Sequence, residues 1–149
     1  MTDWDAFGEK LAEQLSALPA GAVLIIREGE RGDTGRYAQF LQSDEGVEAE
    51  LVGDHYLAPA LRAGEAGCGL IAEAGWQAPE DTVYGHNWWA KLPWPSPSEA
   101  YRRLSGMTVT GLRDALRIAG PQALVYEAWD GRRGNRPLPL PLLGRAPQS

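Results

Sequence analysis

Two stretches with helical apolar spacing frame this chain and leave little choice of fold class. Trp4, Phe7, Leu11, Leu15 and Leu18 recur every three or four residues near the start, stopped by Pro19 and Gly21. Tyr101, Leu104, Thr108, Leu112, Ala115, Leu116 and Ala119 do the same after residue 97, stopped by Gly120-Pro121. Each stripe needs an apolar surface to cover. The segments around them supply one. Ala22-Val23-Leu24-Ile25-Ile26 is a continuous apolar run that reads as a strand buried on both faces. Tyr37, Gln39 and Leu41 alternate with Ala38 and Phe40, and Val47, Ala49 and Leu51 alternate with Glu48 and Glu50, the period of strands with one wet face. Polar, glycine-bearing turns at residues 28–35 and 43–46 join these runs into an antiparallel meander. Leu124 to Trp129 is a final strand after the second helix. The prediction is α+β: an antiparallel sheet with an N-terminal helix near residues 3–18 and a long C-terminal helix near 97–119 packed on it.

Local signals refine this outline. Ser96, Pro97 and Glu99 form a helix start, with a capping serine, proline at the first helical position and glutamate three residues on. Gly106, Thr108, Val109, Thr110 and Gly111 weaken the middle of that helix, at up to about 1 kcal/mol per glycine, so it bends there or packing compensates. Tyr56 to Pro59 reads as an extended connector, Leu70, Ile71, Ala74 and Trp76 as a short helix ended by Gly75, and Val83-Tyr84 with Asn87 to Leu92 as a strand or two bounded by Pro79 and Pro93. Residues 1–131 thus read as one domain. Residues 132–149, with Pro137, Pro139, Pro141 and Pro147, read as an extended or disordered tail.

Charge excludes some functions. The net charge is −6, with twelve acidic and four basic residues in 1–60 against eight and ten in 61–149. No clustered basic surface for nucleic acid is expected. No apolar run approaches the roughly 20 residues that span a bilayer. A single Cys68 and an N-terminus without a basic-then-apolar leader fit a cytoplasmic protein.

Four of six tryptophans, Trp76, Trp88, Trp89 and Trp94, fall within nineteen residues that also hold Pro79 and Pro93, with Pro95 and Pro97 directly after. Indole combines a large apolar area with one N–H donor and suits surfaces that are half dry and half wet. Neighbours on a strand point to opposite faces, so one of Trp88 and Trp89 belongs to the core and the other to the open face; burial of both beneath helices is the competing reading. Trp4, Trp76 and Trp129 read as core. The candidate peptide-binding residues are Trp76, Tyr84, Trp88, Trp89 and Trp94.

Catalytic chemistry finds less support. His55, His86 and Cys68 lack the close spacing of a zinc site, and no metal or cofactor is expected. Gly64 to Gly69 has neither a dinucleotide fingerprint nor a Gly-Lys-Ser/Thr ending and reads as a flexible loop. Cys68 has no evident base beside it, the acidic clusters lie in turns or on a wet strand face, and no Gly-x-Ser-x-Gly elbow marks a nucleophile.

The order and spacing of several short motifs resemble the actinobacterial TY-Chap proteins, classed with type III secretion chaperones and YbjN-like proteins as peptide-binding chaperones. The motifs are the Trp4/Phe7/Leu11 helix, Arg36-Tyr37-Ala38-Gln39-Phe40, Tyr56-Leu57-Ala58-Pro59, Ala74-Gly75-Trp76-Gln77-Ala78-Pro79, Asn87-Trp88-Trp89, and Leu112 to Leu116 through Leu124 to Asp130. The likeness covers residues 4–130. It implies a non-enzymatic fold that holds an extended segment of a partner polypeptide, as a homodimer in the manner of secretion chaperones. An adaptor or regulator without client folding, and a small hydrolase with an unrecognised site, are the alternatives.

Overall fold

A computed structural model describes residues 3–29, 34–79 and 84–143. Helix α1 (Asp3–Ala17) leads into strands β1 (Ala22–Glu28), β2 (Tyr37–Gln42) and β3 (Gly46–Leu51). Two short 3-10 turns, Asp54–Tyr56 and Pro59–Leu61, precede α2 (Gly64–Ala74), then β4 (Trp88–Pro93), α3 (Ser98–Val109), β5 (Leu124–Asp130) and the two-residue β6 (Arg136–Pro137). All pairings are antiparallel, in the order β4-β3-β2-β1-β5-β6. The protein is α+β, with β5 following the long helix.

The helices lie on one face of the sheet. Trp4, Phe7, Leu11 and Leu15 of α1 and Tyr101 and Leu104 of α3 are buried with Leu24, Ile26, Phe40 and Leu51 of the strands in one core. The meander has the predicted faces, since Ala38 and Phe40 are fully buried while Leu41 is 40% exposed. β1 departs from expectation. Its burial alternates, with Ala22, Leu24 and Ile26 buried and Val23 and Ile25 only partly so, because no helix covers the second face.

α1 and α3 touch through small residues. Gly8 lies under Val109, and Ser105 Oγ donates to the Gly8 carbonyl over 2.5 Å. The weak middle of the long helix becomes a π-helical turn, Thr110–Ala115, in which Gly111 passes so close to Leu51 that a Cβ would lie 2.6 Å from Leu51 Cδ2. The helix ends at Leu116, earlier than Gly120-Pro121 suggests, because Arg117 takes a left-handed φ of 61° and Arg36 Nη1, from β2's approach, donates to the Leu116 carbonyl at 2.6 Å. Its start also shifts. Ser98 is the first helical residue, Pro97 the cap without a side-chain bond, and Ser96 Oγ instead donates to the Pro93 carbonyl at 2.6 Å.

Gly64 to Gly69 is helix, not a flexible loop. The Asp54 carboxylate accepts the N–H groups of Ala63 and Gly64 at 2.7 and 2.9 Å and so caps α2 from another turn. Gly67 is there for contact, since a Cβ on it would lie 2.8 Å from Ala63 Cβ and 3.1 Å from the Ala115 carbonyl. Gly75, at φ 120°, ends the helix as expected. Tyr56 to Pro59 is not one extended connector but joins the two 3-10 turns. Beyond Asp130 the chain stays with the domain: β6 pairs with Trp129 and Asp130, and Leu140 and Leu143 are buried beside α1. Residues 144–149, like Val83 and most of the β1–β2 turn, lie outside the described residues.

Candidate peptide-binding face

The face of the sheet away from the helices carries the odd-numbered side chains of β1, β2, β4 and β5 and the even-numbered ones of β3. Register sets them in rows. One row runs Lys91, Glu48, Leu41, Val23, Trp129, and the next Trp89, Glu50, Gln39, Ile25, Glu127. Trp89 on β4 and Trp129 on β5 are four strand spacings apart, about 19 Å, a span that an extended chain crosses with about six residues.

Charges on this face are matched internally. Arg27 Nη2 meets Glu127 Oε1 at 3.2 Å and Lys91 Nζ lies 3.7 Å from Glu48 Oε1, while Glu50 accepts from Gln39 Nε2 at 3.3 Å and Asn87 Nδ2 at 3.1 Å. Partly exposed pairs of this kind contribute at most about 1 kcal/mol each. They keep the face wet without closing it.

The aromatic end of the face is organised. Tyr84 and Trp89 stack with ring centroids 5.2 Å apart and planes 19° from parallel, and Lys91 Nζ lies 5.8 Å from the first ring and 5.9 Å from the second. Interaction with the Tyr84 hydroxyl, and less so with Glu48, holds the Lys91 ammonium above the ordinary lysine range. Trp94, just past β4, is 52% exposed.

The five candidates therefore divide. Tyr84, Trp89 and Trp94 present surface, and Trp88 and Trp89 take opposite faces as strand stereochemistry requires. Trp88 is buried at 7% exposure, and Trp76 at 3%, its Nε1 donating to the Met107 carbonyl over 3.0 Å. Both are core and do not join the surface cluster. Trp129 was expected in the core and stands on the open face instead, half-buried beside Glu127, Asn135 and Pro137. Its shared parity with Glu127, against Leu124, Tyr126 and Ala128, is the signal in the sequence that marks it.

The remaining reactive groups serve the fold. Cys68 Sγ lies 3.7 Å from Asp54 Oδ2, and burial, with the Asp54 carboxylate, pushes its thiol up. His55 and His86 stack at 3.8 Å and are exposed, and the Tyr56 hydroxyl accepts the His86 N–H at 3.2 Å. Among the described residues no group of three or more His, Cys, Asp or Glu is placed to hold a metal ion.

The family model TY-Chap3, described as T3SS (YopN, CesT) and YbjN peptide-binding chaperone 3, matches residues 1–130. The chain belongs to this family. No curated protein and no solved structure matches it. The TY-Chap3 match ends on the last residue of β5, so it spans α1, the five principal strands and both further helices, and leaves out β6 and the segment after it. Membership makes a polypeptide the general class of partner. No helix among the described residues is long and apolar enough to cross a membrane.

Proposed function

We propose that this TY-Chap3 protein is a non-enzymatic, cytoplasmic peptide-binding chaperone whose partner segment lies extended on the open face of the sheet, against Trp89, Tyr84 and Trp94. The observation that carries this reading is the stacked, partly exposed Tyr84–Trp89 pair, with exposed Trp94 at the end of the same strand and no helix over it. Apolar side chains of a client gain area from indole that water otherwise wets, and Lys91 beside the rings gives the surface a polar handle. Trp129 at the opposite border extends the footprint.

Binding of a client fragment recovered by cross-linking tests the reading. Trp89→Ala and Trp94→Ala each weaken capture, by about 2 kcal/mol for an anchoring tryptophan, while the folded state persists. Unchanged capture by both variants, together with a matched circular dichroism spectrum, removes the aromatic surface as the site.

Pairing belongs to the same proposal. The outer groove between α1 and α3, about 660 Å³, has Asp5 and Glu9 on one wall and Arg102 and Arg113 on the other. A two-fold axis along the groove sets α1 of each copy over α3 of the other, acid against arginine.

A further inference from the structure

β4 borders the sheet, and the structure shows how little of that border is open. The ladder with β3 alternates, so Trp88, Ala90 and Leu92 bond inward while Trp89, Lys91 and Pro93 direct their peptide groups outward. Gln77 occupies the edge opposite Trp89, its N–H donating to the Trp89 carbonyl at 2.8 Å and its carbonyl accepting the Trp89 N–H at 3.2 Å. Pro93 has no N–H, and its carbonyl accepts from Ser96 Oγ. Among the described residues this leaves the N–H and C=O of Lys91 for a guest. They open on a cavity of about 270 Å³ lined by Gly75, Gln77, Leu92, Arg103 and Met107 among others.

We propose that this slot receives the C-terminal end of a polypeptide, with its free carboxylate beside Arg103 and its last side chain against Leu92 and Met107. This deepens the peptide-binding reading and rests on it. Geometry requires a chain end. A guest antiparallel to β4 and opposite Lys91 takes the place Gly75 would hold if the Gln77 strand continued, and its next residue would coincide with Trp76 and Gln77. Such a guest must stop there. A parallel guest would instead place its N-terminal ammonium at that point, and charge decides between them. The lining holds two cationic residues, Lys91 and Arg103, and no acidic one, in a chain whose net charge is −6. Arg103 is exposed and none of the ion pairs among the described residues engages it. Its guanidinium matches a carboxylate as a charge-assisted donor, and capture of a terminal carboxylate alongside strand addition is an established mode of peptide recognition.

The test uses the full chain, immobilised, and two heptapeptide pools randomised at the last three positions, one with free C-termini and one C-terminally amidated. The protein retains the free-acid pool at least about tenfold over the amidated pool, with enrichment of apolar last residues. Arg103→Gln abolishes that preference, Lys91→Pro also abolishes it by removing the β4 N–H that donates to the guest without touching the bonds to β3, and Arg136→Gln at the far edge changes nothing. Circular dichroism and thermal melts establish that each variant is folded. Equal retention of both pools overturns the carboxylate slot and leaves peptide binding standing, as does a free-acid preference that survives both Arg103→Gln and Lys91→Pro. Retention of neither pool overturns peptide binding itself.

Discussion

Tryptophans in this chain do different work according to how much of the indole is wet and what its N–H meets. Trp76 is enclosed and its donor is spent on the Met107 carbonyl, which Thr110 N–H also reaches, so Trp76→Ala leaves a cavity and removes one of the two bonds to that carbonyl. A loss of about 3–5 kcal/mol is expected there and at Trp88, read as a lowered urea midpoint. Trp94→Ala, at a half-exposed site, shifts stability by about 0.5 kcal/mol or less and acts on binding instead. The half-buried Cys68 thiol and Tyr37 phenol contribute a pH dependence. Burial raises Cys68, with Asp54 adding to it, and burial raises Tyr37, opposed by its hydrogen bond to Asn87 and helped by Glu50. A folded-state pKa above the unfolded value favours the protonated native form, so that stabilisation is complete below the unfolded value and is lost as pH rises through the folded one. Stability therefore falls above about pH 8.5, where an unfolded thiol ionises, and further above about pH 10. Chemical denaturation across pH 7–11 reads this decline, which Cys68→Ala and Tyr37→Phe each make shallower. Native Cys68 also alkylates more slowly than glutathione at pH 8, and a faster rate would contradict a protonated, carboxylate-flanked thiol.

Glycine in α2 shows how one residue type takes opposite roles within a single element. Gly69 faces outward with no atom within 4 Å of a Cβ, so Gly69→Ala gains helix propensity and stabilises by about 0.5–1 kcal/mol. Gly67, two residues earlier, is packed on Ala63 and the Ala115 carbonyl, so Gly67→Ala forces α2 off the π-helical turn and costs about 1–3 kcal/mol. Paired thermal melts separate the two signs. This helix also shows what local pattern conceals. Gly64 to Gly69 looks flexible because its cap, Asp54, lies ten residues upstream and its packed glycine, Gly67, answers to Ala115, more than forty residues away. The early end of α3 has the same character, since Arg36 reaches the Leu116 carbonyl from β2's side of the molecule. Elements whose signals are internal were legible: the α1 stripe, the alternation in β2 and β3, and Gly75 as a stop. At the candidate site, Trp88 and Trp89 were separable by strand parity alone. The same parity placed Trp129 outside, yet apolar character argued for the core, and only the absence of a covering helix decides between them.

At the scale of the molecule, two surfaces remain after the core is built: the sheet's open face and the α1–α3 groove. Both helices meet through Gly8 and Ser105, and this close approach, with Gly106 on the rim, makes the groove. Its walls carry opposite charge, acidic from α1 and basic from α3, with Trp4 and Val109 at the floor. Arg113 is held chiefly by Asp114, at 2.8 and 2.9 Å, and feels Asp5 more weakly within one copy, and the surface complementary to these walls is the same pattern reversed, which a second copy turned about a two-fold offers. The open face, by contrast, stays free for a client in such a dimer because it lies on the other side of the sheet. Light scattering on the eluting protein is expected to give twice the chain mass. Gly106→Trp tests the placement, since a Cβ at Gly106 meets nothing within 4 Å in the single chain, and the bulk projects into the groove that the second copy would enter. The variant is expected to elute at the mass of one chain while its melting temperature at low protein concentration stays close to that of the parent. Raising salt from 0.05 to about 0.5 M weakens the parent's self-association as well, because the proposed contacts pair exposed charges across the groove. A parent that is monomeric at every concentration, or a Gly106→Trp variant that still pairs, moves the assembly off this surface and leaves the groove between α1 and α3 without a partner copy.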